Sequence, residues 1–72
     1  MNIGKITPAE AAAILHLSVQ TVRVAMQHEK LHIGTAIKMS SKWTYHISPK
    51  LLAEYSGADV EKELEKIRAN KG

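Results

Sequence analysis

Residues 7–30, TPAEAAAILHLSVQTVRVAMQHEK, decide the fold, because they spell two short helices on either side of a tight turn. Thr7 offers a side-chain oxygen to cap the first helix, and Pro8 has no N–H to leave unpaired in its first turn. Glu10 stands where a capping box places an acid, near the positive end of the helix dipole. Residues 9–15 then combine high helix propensity with no breaker. Leu15-His16-Leu17-Ser18 interrupts the run, and Ser18 can cap a second helix from residue 19 to about residue 30.

Two helices crossing steeply on a short turn need a small residue on the first, an apolar one in the turn and another early in the second. Ala12, Leu17 and Val22 supply these at spacings of five and five. The turn position that often takes glycine, for a left-handed backbone, holds His16. With Val22 pointing inward and about 100° per residue, Val19, Ala25 and Met26 join it in an apolar stripe. Gln20, Arg23, Val24 and Gln27 project to the opposite side. Gln pairs with adenine N6 and N7, Arg with guanine O6 and N7, and Val24 can meet a thymine methyl, so this face suits a major groove. Ser18 and Thr21, at the helix start, suit phosphate contacts through hydroxyl and backbone N–H. Taken singly, each polar member is also an ordinary solvated residue; the outward Val24 is not.

Beyond Lys30 the pattern turns from helix to strand at Gly34. Residues 35–39 and 43–47 are β-favouring runs around Ser40-Ser41-Lys42, which predicts a hairpin. Ile37 and Met39 alternate with Lys38, while Trp43, Tyr45 and Ile47 alternate with Thr44 and His46; the apolar set is the expected core face. Lys38, Ser40, Ser41 and Lys42 at the tip suit a phosphate backbone or a minor groove, which makes the hairpin a wing. Trp43 reads as a core plug in a chain without phenylalanine, in preference to a base-stacking residue. Tyr45 can pack its ring on the sheet while its hydroxyl reaches a phosphate.

Ile47-Ser48-Pro49-Lys50 repeats the grammar of Ile6-Thr7-Pro8-Ala9, so a third helix is expected from Pro49, with Leu51, Leu52 and Tyr55 inward and Gly57 as its stop. A last helix is expected over residues 59–69, with Asp59 and Glu61 near its positive end and Lys66, Arg68 and Lys71 toward its negative end. Val60, Leu64 and Ile67 line one face of it. That stripe either folds back on the domain or meets a second copy or a partner protein. At the amino end, Ile3 and Ile6 are expected to tuck against the core.

The stretch ITPAEAAAILHLSVQTVRVAM resembles the helix-turn-helix of small winged proteins of the excisionase and MerR-superfamily type, and IKMSSKWTYHISPKLLAEY is similar to their wing and closing helix. The resemblance covers residues 6–55, and His16 in place of glycine is its clearest departure. It implies a mainly helical α+β fold, a winged helix-turn-helix with a two-stranded hairpin wing and a C-terminal helix. Residues 1–57 would form the DNA-binding domain, and residues 58–72 a helix that packs on it or mediates association. The implied function is sequence-specific binding of double-stranded DNA by an accessory protein of a phage or mobile element. Such a protein bends DNA and biases an integrase, its protein partner, toward excision. A transcriptional regulator built on the same domain is the alternative, and a protein-interaction adaptor without DNA binding the alternative of another class.

Composition agrees with that direction. Seventy-two residues make one small domain, and the absence of cysteine excludes disulfides and thiolate metal sites. The amino terminus lacks the apolar core of a secretory signal and no run is long enough to span a bilayer, which predicts a soluble cytoplasmic protein with no membrane partner. Residues 1–50 carry six cations against two acids and residues 51–72 four against five, so the net charge of +3 belongs to the part expected to meet phosphates. His28 and His32 are four apart, but no carboxylate or thiol completes a ligand set, and no metal or cofactor is expected. No nucleophile motif, phosphate-binding glycine loop or paired-acid arrangement is present, so the protein is read as non-enzymatic.

Overall fold

The computed structural model describes residues 4–69, so the expectations for Ile3 and Lys71 lie outside the described residues. Helix α1 (Pro8–Leu15) opens on a reciprocal capping box. Thr7 N–H donates to Glu10 Oε1 at 3.0 Å and Glu10 N–H to Thr7 Oγ1 at 3.1 Å, which satisfies two backbone donors that the helix itself leaves without partners. The helix closes where His16 takes the left-handed conformation, φ 59° and ψ 41°. Leu17 N–H then reaches Ala12 O at 2.9 Å and His16 N–H reaches Ala13 O at 3.4 Å, a closure usually built on glycine.

Helix α2 (Val19–Gln27) starts on Ser18, whose Oγ accepts Thr21 N–H at 3.1 Å. It stops short of the expected Lys30. Glu29 adopts φ 55°, Lys30 N–H bonds Ala25 O at 2.8 Å and Glu29 N–H bonds Met26 O at 3.1 Å, so the same kind of left-handed closure ends the helix early. The chain then runs through the buried Leu31 and Ile33 into strand β1 (Gly34–Met39), which pairs antiparallel with β2 (Lys42–Ile47).

The register overturns part of the expected hairpin. Met39 pairs with Lys42, leaving only Ser40 and Ser41 in the loop, with Ser40 at φ 59° where two-residue turns normally use glycine. A three-residue loop would have set Met39 opposite Trp43. The shorter loop shifts the parity by one, and side chains alternate strictly along a strand, so Gly34, Ala36 and Lys38 share a face with Ile47, Tyr45 and Trp43. Ile37 and Met39 therefore belong to the opposite face and are exposed, Met39 to 65%. Ala36, Tyr45 and Ile47 pack on the core, but Trp43, further toward the tip, extends past it and stays 36% exposed. Trp43 is not the core plug.

Helix α3 (Pro49–Ser56) is capped by Ser48 and ended by Gly57 at φ 71°. Leu52 is fully buried, whereas Leu51 and Tyr55, both expected inward, are exposed; two adjacent leucines on a short helix cannot both face one side. Helix α4 (Val60–Ala69) begins after Asp59, whose Oδ1 accepts Lys62 N–H at 3.2 Å. It lies against α1 and α3 with Val60 and Leu64 buried and Ile67 half-buried against the core. This burial removes the Val60, Leu64 and Ile67 stripe as an exposed face for a second copy or an integrase. Arg68 fastens the helix: its Nε donates to Oε2 of the buried Glu10 at 2.8 Å and its Nη2 to Lys5 O at 3.2 Å. The hydrogen bond to Glu10 raises the guanidinium pKa, with burial opposing and the carboxylate's charge adding to it. One carboxylate thus caps α1 and anchors α4.

The result is a mainly helical α+β fold: a helix-turn-helix, a hairpin wing and two closing helices around one core. That core joins Ile6, Ala12, Val22, Met26, Ile33 and Leu52 to the α4 residues. Leu17, expected as an inward pin of the turn, is 42% exposed, whereas its expected companions Ala12 and Val22 are both buried in the core. No helix among the described residues is long and apolar enough to cross a membrane.

Candidate nucleic-acid interface

The apolar stripe of α2 fixes which side chains its other face can offer. Val22 and Met26 are buried and Val19 and Ala25 pack partly against the core, so Gln20, Thr21, Arg23 and Val24 are left exposed. Val24 remains 38% exposed, an apolar group with no place in the core. Gln27 differs from the other three of its expected quartet. Its Nε2 donates to the Tyr45 hydroxyl at 2.6 Å, so it is half-buried and tied to the wing. Tyr45 correspondingly turns its hydroxyl oxygen toward α2.

Ser18 and Thr21 also spend part of their hydrogen-bonding capacity locally. Their hydroxyl oxygens stand 2.7 Å apart, in addition to the cap that Ser18 makes. With Thr21 N–H taken by the cap, one hydroxyl hydrogen of the pair and the N–H groups of Val19 and Gln20 remain for an anion at the positive end of the helix. Along the flank of α2, an open hollow of about 540 Å³ runs from Ser18 and Thr21 past Val24 to His28 and Lys30. His28 and Lys30 were absent from the sequence-based set. The signal was there: His28 follows Val24 by four residues and Thr21 by seven, the spacing of one helical face.

The wing brings Ser40, Ser41, Lys38 and Lys42 into the solvent, all four exposed. The register separates the two lysines, however. Lys38 sits beside Trp43 on the face turned toward α2, and Lys42 sits beside Met39 on the other face. A second hollow, about 470 Å³, lies between the end of α2 and the hairpin, with Gln27, Glu29, His32, Lys38 and Trp43 at its polar rim.

No protein-family model, curated protein or solved structure matches the chain.

The chemistry of the site rests on its own geometry. Among the described residues no group of three or more His, Asp or Glu side chains could hold a metal ion. Its exposed groups are hydrogen-bond donors, amides, cations and one apolar side chain, set on a rigid helix next to a basic hairpin. Such a surface is suited to recognition by shape and hydrogen bonding.

Proposed function

We propose that the protein binds double-stranded DNA, with α2 in the major groove and the wing on the flanking backbone. The observation that carries this reading is the exposed row Gln20, Arg23 and Val24 on the back of a helix whose other side packs against the core through Val22 and Met26. Gln20 and Arg23 then read base edges, Val24 meets a thymine methyl, and Lys38, Lys42, Ser40 and Ser41 hold phosphates. This is binding without catalysis, in the compartment where DNA resides, the cytoplasm of a host cell. The resemblance of residues 6–55 to excisionase-type proteins supports an accessory role for a phage or mobile element; a transcriptional regulator would use the same surface in the same way.

Fluorescence anisotropy with a labelled duplex, titrated at several salt concentrations, tests the reading. Two phosphates neutralised by Lys38 and Lys42 give a slope of log affinity on log salt of about −2. Arg23→Ala and Gln20→Ala should reduce discrimination among duplex sequences, whereas Lys42→Ala should weaken all of them alike. Negligible duplex affinity at low salt would favour a protein-interaction adaptor instead.

A further inference from the structure

The groove between α2 and the hairpin has a composition that the core does not explain. Trp43 is the chain's single tryptophan, and the core leaves it partly in solvent at the groove's edge, directly across the ladder from Lys38. The two walls are held at a set distance by the 2.6 Å bond from Gln27 on the helix to Tyr45 on the strand. Polar lining predominates, with Lys38, His32, Gln27 and Thr35 against the acid Glu29.

Resting on the DNA-binding reading above, we propose that this groove holds the sugar–phosphate strand that runs between the major-groove contacts of α2 and the contacts of the wing, with Trp43 packed on a deoxyribose and Lys38 on an adjoining phosphate. Major and minor grooves of a duplex are separated by one backbone strand. A helix in the first and a hairpin tip beyond it must therefore straddle such a strand. The deoxyribose ring offers an apolar face that suits an indole, and the flanking phosphates suit an ammonium group. Because Gln27 and Tyr45 already fix the spacing, the groove receives the strand without first ordering its walls. Glu29 is the group that opposes a phosphate there.

The lone tryptophan makes the test direct. A labelled short mixed-sequence duplex is titrated with the protein in low salt, with anisotropy reporting binding and intrinsic emission reporting Trp43. Trp43 emission should change in step with the anisotropy. Trp43→Ala should weaken binding about tenfold, the effect of one lost aromatic contact, and Trp43→Phe should recover part of it. Glu29→Gln should tighten binding. Circular dichroism of Trp43→Ala should match the parent, since the side chain lies outside the core. Normal anisotropy with unchanged Trp43 emission and undiminished binding by Trp43→Ala would overturn the groove assignment while leaving DNA binding intact. Absence of any anisotropy change in the parent protein would overturn both.

Discussion

Gly34 opens the first strand of the wing, opposite Ile47, and substituting it is the sharpest structural test of that pairing. A Cβ at this position would stand 2.8 Å from Ile47 Cα and 2.9 Å from His46 C, and would overlap the His46 carbonyl oxygen. All three atoms are backbone of the paired strand, so no side chain can swing aside. Overpacking commonly costs 1–3 kcal/mol, and backbone obstruction places Gly34→Ala at about 3 kcal/mol or more. A chain of 72 residues has roughly 4 to 11 kcal/mol of stability in total, so the loss is a large fraction of it. The midpoint of thermal unfolding, followed by circular dichroism, should fall by roughly 12–24 °C. Gly57→Ala is the matched control. Gly57 has φ 71° with open space around it, so only backbone strain of about 1 kcal/mol applies and the midpoint should fall much less. A Gly34→Ala protein melting within a few degrees of the parent would refute the close approach of β1 to the end of β2.

Three further outcomes follow from the same geometry. His16→Gly should raise stability by about 1 kcal/mol in urea denaturation, because the left-handed backbone at φ 59° strains histidine and not glycine; a loss would show a compensating contact of the imidazole. In a double-mutant cycle of Gln27→Ala and Tyr45→Phe, unfolding free energies should couple by about 1 kcal/mol, and simple additivity would mean that the helix–wing bond does not form in solution. Arg68→Ala should speed hydrogen exchange of the α4 amides while those of α1 keep their protection; equal acceleration in both would assign Arg68 to global stability instead of to the anchoring of α4.

Which features were legible in the sequence depended on how local their cause is. The Thr7-Pro8-Glu10 and Ser48-Pro49 starts are set by hydrogen bonds spanning three residues, so their grammar could be read directly. Gly57 announced its own left-handed stop. Glu29 closes α2 in the same way without any glycine or asparagine to mark it, so nothing in the local sequence ends the helix before Lys30. The hairpin was legible as an element, but its parity turned on whether Lys42 belongs to the loop or to the strand, and Ser40-Ser41 is not a standard turn pair. That one residue puts Ile37 and Met39 on the face opposite to the expected one, whereas Trp43 keeps the expected face with Tyr45 and Ile47 and is exposed because it lies toward the tip. The outward face of α2 was legible because one buried stripe determines its opposite. What the sequence could not carry were contacts between distant segments: Gln27 with Tyr45, and Glu10 with Arg68, 58 residues apart.

The proposed binding of DNA requires the exposed side of α2 to be the surface that meets the duplex. Titration of the isotopically labelled protein with a short duplex, followed by amide NMR shifts, addresses it residue by residue. The largest changes should fall on Gln20, Thr21, Arg23 and Val24, with a second set at Ser40, Ser41 and Lys42. Shifts confined to α3 and α4, or none at duplex excess in low salt, would contradict it.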